Sequence, residues 1–153
     1  MKKGKIFWIL AFILSTGLFI VSCTKDEDLT NELARDQFED SVKSGAWVIT
    51  LFEDSGKDET NHFSGYDFTF NADGTLMAEN GLNTYEGIWS ISDNNSGDDS
   101  ESDLHFNIFF ALSNDFEDLN DDWDVLSNSE VKIELIDVSG GNGGTDYLTL
   151  EKK

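Results

Sequence analysis

Hydrophobic and polar residues alternate with a period of two over most of the chain from Gly45 onward. This period is typical of β-strands with one buried and one exposed face. The sequence Asn71-Ala72-Asp73-Gly74 has the composition of a tight hairpin turn, and a glycine-rich loop at 140–144 precedes the last alternating segment. Short strands with no second helical pattern indicate an all-β antiparallel sandwich or barrel. The pattern predicts eight strands, over 47–52, 63–70, 75–79, 85–91, 104–110, 123–126, 131–135 and 147–152.

A different period precedes the strands, between Leu29 and Lys43. Ala34, Phe38 and Val42 recur there every four residues, which predicts a short helix with a narrow apolar stripe. Because an isolated helix of this length is marginal in water, we expect it to pack against the strand domain.

The first 22 residues have the organisation of a secretory leader. Three lysines at positions 2, 3 and 5 precede an uncharged, mostly apolar run of sixteen residues from Ile6 to Val21. A membrane-spanning helix needs about 20 apolar residues, so a cleaved signal peptide explains this run better than the alternative, a permanent N-terminal anchor helix.

The sequence Ile20-Val21-Ser22-Cys23 at the end of this leader resembles the lipobox of bacterial lipoproteins. The resemblance implies cleavage before Cys23 and attachment of acyl chains to its thiol and to the new amino group. Cys23 is the single cysteine of the chain, which excludes an internal disulfide, a cysteine zinc site and an iron–sulfur cluster. Two or three acyl chains would anchor the protein stably. The membrane, contacted through this lipid anchor, is therefore an expected partner.

The residues directly after Cys23 resemble the surface-export signal of Bacteroidota lipoproteins, and they are Lys25, Asp26, Glu27 and Asp28. The resemblance implies that residues 23–28 form a lipidated acidic linker and that the protein is displayed at the surface of the outer membrane. An ordinary solvated linker, with the protein facing the periplasm, is the alternative.

Acidic residues dominate the charge of the chain. Asp and Glu number 31 against 10 Lys and Arg, which gives a net charge of −21, and loss of the three leader lysines makes it −24. Nucleic acid is excluded as a partner, because phosphate contacts require clustered basic residues. With 39% hydrophobic residues, the chain has the composition of a folded domain, which we expect over residues 44–153.

The sequence Gly45-Ala46-Trp47 resembles the Gly-x-Trp signature of lipocalins. The resemblance implies an eight-stranded antiparallel up-and-down barrel preceded by the short helix at 29–43, with Trp47 buried at one barrel end beneath that helix. It also implies a basic side chain over Trp47, for which Lys152 and Lys153 are available. The stretch is further similar to lipocalin-like domains of Bacteroidota lipoproteins, through Asp73-Gly74, Gly87-Ile88-Trp89, Asp121-Asp122-Trp123 and the strand Leu148 to Lys152.

Aromatic residues at inward positions decide what such a barrel can hold. Eight strands leave room for side chains or for one small ligand. Each large aromatic side chain buries about 150–250 Å², so we expect a mostly filled interior with at most a shallow pocket at the open end. An open lumen that carries a small apolar ligand is the alternative. The candidate lumen residues are Phe68, Phe70, Trp89, Phe106 and Phe110.

The sequence contains no motif of a serine hydrolase, a zinc protease or a phosphate-binding loop, and its two histidines are His62 and His105. We therefore predict no catalytic residues and no cofactor. Two acidic runs, 93–103 and 115–124, are rich in the oxygen ligands that calcium prefers, but neither fits the EF-hand spacing. We expect solvated loops, in which the weak candidates for a metal site are Asp93, Asp98, Asp99, Asp118, Asp121 and Asp122.

Together these features predict a lipid-anchored, non-catalytic binding or interaction protein of the outer membrane, with a protein or glycan partner. A carrier of a small apolar ligand and a calcium-assisted adhesion or structural module are the alternatives. A cavity would favour the carrier, whereas a packed interior would favour the interaction module.

Overall fold

The computed structural model describes residues 26–93, 104–138 and 143–153, with side chains from Glu32 onward in the helix. The described part begins with helix α1, Asp26–Lys43, three residues earlier than predicted. Two 3₁₀ turns, Thr60–Phe63 and Asp115–Leu119, interrupt the strands. The strands are β1 Trp47–Asp54, β2 Lys57–Asp58, β3 Asp67–Phe70, β4 Thr75–Glu79, β5 Thr84–Asp93, β6 Leu104–Phe109, β7 Asp121–Asn128, β8 Lys132–Val138 and β9 Thr145–Lys152.

Eight of these strands form a closed antiparallel barrel. From β3 to β9 each strand pairs with the next along the chain, β1 pairs with β3, and β9 pairs back with β1 from Trp47↔Lys152 to Glu53↔Tyr147. The predicted fold class, an all-β barrel preceded by one helix, is confirmed. Two-residue β2 lies outside the barrel and pairs only with the end of β1.

The strand predicted at 63–70 is wrong over its first half. Only Asp67–Phe70 forms a strand, because Thr60–Phe63 is a 3₁₀ turn and Gly65 has a φ of +83°, in the left-handed region that glycine tolerates. Phe63 is nevertheless buried. A large hydrophobic residue just before the strand was therefore interpreted as its first position. The turn covers the part of β1 that β3 does not reach, since the Glu59 amide donates to the Phe52 carbonyl over 2.9 Å.

The barrel has a helix end and a far end. The helix end contains the start of β1, the end of β9 and the β3–β4 turn at 71–74, and α1 docks there. The far end contains the β1–β3, β4–β5 and β6–β7 connections. The C-terminal half of α1 makes the contact, with Phe38 and Val42 buried, whereas residues 32–37 are exposed. The Phe38 ring reaches the barrel interior, 5.9 Å from the Phe106 ring.

Candidate functional site

Trp47 seals the barrel at the helix end. Its indole is fully buried and its Nε1–H donates to the carbonyl of Val42, at 2.8 Å, which fixes the helix against β1. The ammonium of Lys152 lies 4.9 Å from the centre of the Trp47 ring and donates to the hydroxyl of Ser44 at 2.8 Å. Of the two lysines available, Lys152 is thus the one over Trp47, and the Lys153 ammonium instead pairs with Asp67.

The backbone conformation at residue 45 explains why it is a glycine. Its φ is +101°, whereas the nearest atoms to the position of a Cβ, two methylene carbons of Lys152 at 3.7 and 3.9 Å, would be in ordinary contact with it. A side chain at residue 45 would strain the backbone just before β1. The Gly45–Trp47 signature therefore acts structurally, by closing the barrel.

The five candidate lumen residues are all buried and pack against each other or against other core rings. The ring of Phe70 lies 5.4 Å from Trp89 and 5.3 Å from Phe106, and Trp89 lies 5.9 Å from Phe106. The Trp89 indole also donates to the carbonyl of Asn71 at 3.0 Å. Phe68 and Phe110 lie toward the far end, where both contact Phe116. The structure places these side chains together as core.

Phe116 closes the far end, and the sequence reasoning missed it. Its ring centre lies 4.7–6.1 Å from five other aromatic rings, which are those of Phe63, Tyr66, Phe68, Tyr85 and Phe110. The 3₁₀ turn that carries it is capped by Asn114, whose side chain accepts from the Phe116 amide, and the Asn120 side chain hydrogen-bonds both backbone groups of Phe110.

The sequence contained a signal for the burial of Phe116. Phe116, Leu119 and Trp123 are spaced by three and four residues, as on one face of a helical turn. The acidic residues around Phe116 and Leu119 favoured the interpretation of that part as a solvated loop, whereas Trp123 was assigned to the strand predicted at 123–126. All three are buried, and the Trp123 indole donates to the Leu119 carbonyl at 3.1 Å.

The acidic metal candidates that the structure describes do not converge. Over the described ranges, no group of three or more His, Cys, Asp or Glu side chains is arranged to hold a metal ion. Consecutive residues of β7 face opposite sides, so Asp121 points inward at the far end while Asp122 is exposed. Asp98 and Asp99 lie outside the described residues, as does the side chain of Asp93.

Burial changes the titration of two of these carboxyls. It raises the pKa of Asp121 to about 6, and the neighbouring carboxylate of Asp137 acts in the same direction. Burial also raises the pKa of Asp118, with further contributions from the charges of Glu59 and Asp54. The far end therefore carries several like charges close to one another, which is costly unless some of them are protonated.

Both histidines lie next to carboxylates. His105 lies on the outward face of β6, and its Nδ1 is 3.1 Å from Oδ1 of Asp124 on β7. His62 Nδ1 is 3.9 Å from Oδ1 of Asp115. Ser92 of β5 pairs in register with His105, so Ser92, His105 and Asp124 lie next to one another on three neighbouring strands. The backbone groups around these three residues are occupied by strand pairing. This geometry gives no preformed oxyanion site.

The structure describes only part of the proposed anchor and export segment. Cys23 and Lys25 are among the residues that the structure does not describe, together with the leader at 1–22. Asp26, Glu27 and Asp28 form the first turn of α1. None of the helices within the described residues combines the length and apolarity required to span a membrane.

Comparison with known proteins gives a structural likeness only. No protein-family model matches the chain, and no curated protein matches it in sequence. Among solved structures, the chain is similar to a DUF4847 family protein from Bacteroides vulgatus ATCC 8482, with a TM-score of 0.49 and 19% sequence identity. The match covers 75% of this chain and 96% of that one.

Proposed function

We propose that this chain is a lipid-anchored, non-catalytic interaction protein of the outer membrane, displayed at the cell surface. The lipobox-like sequence ending at Cys23 and the acidic residues after Lys25 support the address. The net charge of −24 without the leader lysines supports a hydrated domain at the cell surface that does not adhere to anionic lipid.

The observation that carries the interaction role is the filled barrel. Trp47 closes one end, Phe116 occupies the other, and the rings of Phe70, Trp89 and Phe106 fill the space between them. A carrier requires a pocket that accepts much of its ligand's surface. Since these rings occupy the space that a ligand would need, the barrel acts as a rigid scaffold and its outer wall and loops meet the partner.

Binding of apolar ligands tests this role. We expect fatty acids and porphyrins to cause no saturable quenching of the intact chain's tryptophan fluorescence at stoichiometric concentration. A lipid-binding barrel protein assayed in parallel provides the positive control. Stoichiometric, saturable binding that Ala78→Leu blocks would contradict the proposal and favour the carrier, because Ala78 is a fully buried small residue.

A further inference from the structure

One row of residues across the outer wall joins four strands. Asp124 of β7 pairs with Ile136 of β8, Ile136 pairs with Tyr147 of β9, and Tyr147 pairs with Glu53 of β1. The row therefore reads carboxylate, aliphatic, aromatic, carboxylate. Neighbouring strands are about 4.8 Å apart, so the two flanking positions are three strand spacings, about 14 Å, apart along the wall, with an apolar strip between them.

The strip extends along the strands on both sides of this row. Val138 lies two residues beyond Ile136 on the same face of β8 and is 63% exposed. Leu51, 37% exposed, lies two residues from Glu53 on β1 and reaches Tyr147 diagonally. The resulting apolar strip, made of Leu51, Ile136, Val138 and Tyr147, is about 14 Å long, which corresponds to two to three turns of an α-helix.

We propose that this strip is the docking surface for a basic amphipathic helix of a partner protein. A helix with its side chains is about 10–12 Å wide, so its apolar face fits between the two carboxylate flanks and Lys or Arg on its sides can reach them. An acidic chain with a charge of −21 repels acidic partners and copies of itself, and it attracts a basic one. The inference rests on the proposed function, since it assigns the partner of the barrel's outer wall.

The opposite wall provides a matched control. Ile88 of β5 pairs with Phe109 of β6, and both are about half exposed. The residue next to Ile88 in that row is Thr75 of β4, so that flank of the row is uncharged. The two walls thus present similar apolar groups, but on the strip both flanks carry charge.

The experiment measures binding of an 18-residue helical peptide of Leu and Lys to the intact chain in phosphatidylcholine nanodiscs, by fluorescence anisotropy against empty discs. We expect Tyr147→Ser, at the centre of the strip, to weaken binding at least about tenfold, and Val138→Ser, at one end of it, to weaken binding about threefold to fivefold. Ile88→Ser and Phe109→Ser should stay within about twofold. All four variants keep the charge of the parent, so non-specific attraction is the same in each, and thermal melting shows which of them fold. Val138, the more exposed of the two strip positions, supplies the test if Tyr147→Ser unfolds.

The flanking charges give a second readout. Glu53→Gln should weaken binding about threefold to tenfold and reduce its salt dependence, because one ion pair is lost. Glu53 is substituted rather than Asp124, because a change at Asp124 would also remove its contact with His105. A scrambled Leu/Lys peptide without an apolar face should be insensitive to all of these changes.

The assignment is overturned if the strip variants bind like the parent, or if the control wall matters equally. Self-association of the chain that Val138→Ser abolishes would also overturn it, in favour of a second copy. The anchor and the filled interior are measured separately, by phase partition and by ligand quenching. Failure of peptide binding alone would therefore remove this partner and leave the proposed function standing.

Discussion

At the scale of single residues, Trp47 shows how one side chain joins three elements. It belongs to β1, hydrogen-bonds the end of α1 and lies under the ammonium of Lys152 from β9. We expect Trp47→Ala to lower the free energy of unfolding by about 3–5 kcal/mol, because the truncation leaves a cavity and frees the helix. Urea titration measures this, with Leu82→Ala as the control, since Leu82 is almost fully exposed. A loss below about 1 kcal/mol would contradict the structural role of Trp47.

Asp121 gives the stability a pH dependence whose sign can be derived. The pKa of Asp121 is about 6 in the folded chain and near its ordinary value of 3.8 when the chain is unfolded, so the folded chain binds this proton more tightly. Stability from this group is therefore greatest below about pH 4, is lost as the pH rises to about 6, and stays low above it.

Replacement of Asp121 by Asn should remove this penalty. We expect Asp121→Asn to be more stable than the parent by on the order of 1 kcal/mol at pH 7.5, with the difference vanishing near pH 4. Asn can still accept the hydrogen bond that the Asp122 amide makes to residue 121 at 2.8 Å. Asp36→Asn, at an exposed position of α1, is the control, because it removes one charge without touching Asp121. A variant that is less stable than the parent at pH 7.5 would show that the Asp121 charge is compensated.

At the scale of elements, the 3₁₀ turn Asp115–Leu119 closes the far end of the barrel. We expect Phe116→Ala to cost about 3–5 kcal/mol, because the side chain is lost from the centre of an aromatic cluster. Glu117→Ala on the same turn is exposed and should change stability by less than about 0.5 kcal/mol. Equal, small effects of the two substitutions in thermal melts would mean that the turn does not contribute to the core.

The elements also show what the sequence could and could not predict. Strands such as β6, in which the buried Phe106 and Ile108 alternate with less buried residues, were predicted because alternation is a local property. The turns at 60–63 and 115–119 were not, since their buried residues follow no strand period and gain their burial from distant partners. The lumen residues were placed on the correct face, but whether they leave a cavity depended on Phe116, which belongs to another segment.

At the scale of the whole molecule, the proposed lipid anchor on Cys23 would decide where the barrel resides. We expect Cys23→Ala to abolish acylation and to move the protein from the detergent phase to the aqueous phase in a phase-partition assay, because no other thiol exists. Ser22→Ala keeps a small residue before the cysteine and should partition like the parent. Unchanged partition of Cys23→Ala would contradict lipid anchoring.

The proposed display at the cell surface can be tested on intact cells that produce the parent or a variant. Joint replacement of Lys25, Asp26 and Glu27 by Ala should leave the protein in the detergent phase but reduce its cleavage by external protease. Equal cleavage of parent and variant would show that these residues are not an export signal.

The closure of the barrel by β1 and β9 has a consequence for how the chain folds. Trp47 begins β1 and Lys152 ends β9, and the two become neighbours although more than a hundred residues separate them along the chain. Such a non-local contact carries a loop-closure entropy and slows folding. The barrel cannot close until β9 is available, so a chain emerging N-terminus first remains open, with unpaired edges on β1 and β8, until β9 has emerged. Deletion of β9 alone would keep the sequence of every other strand and still prevent closure.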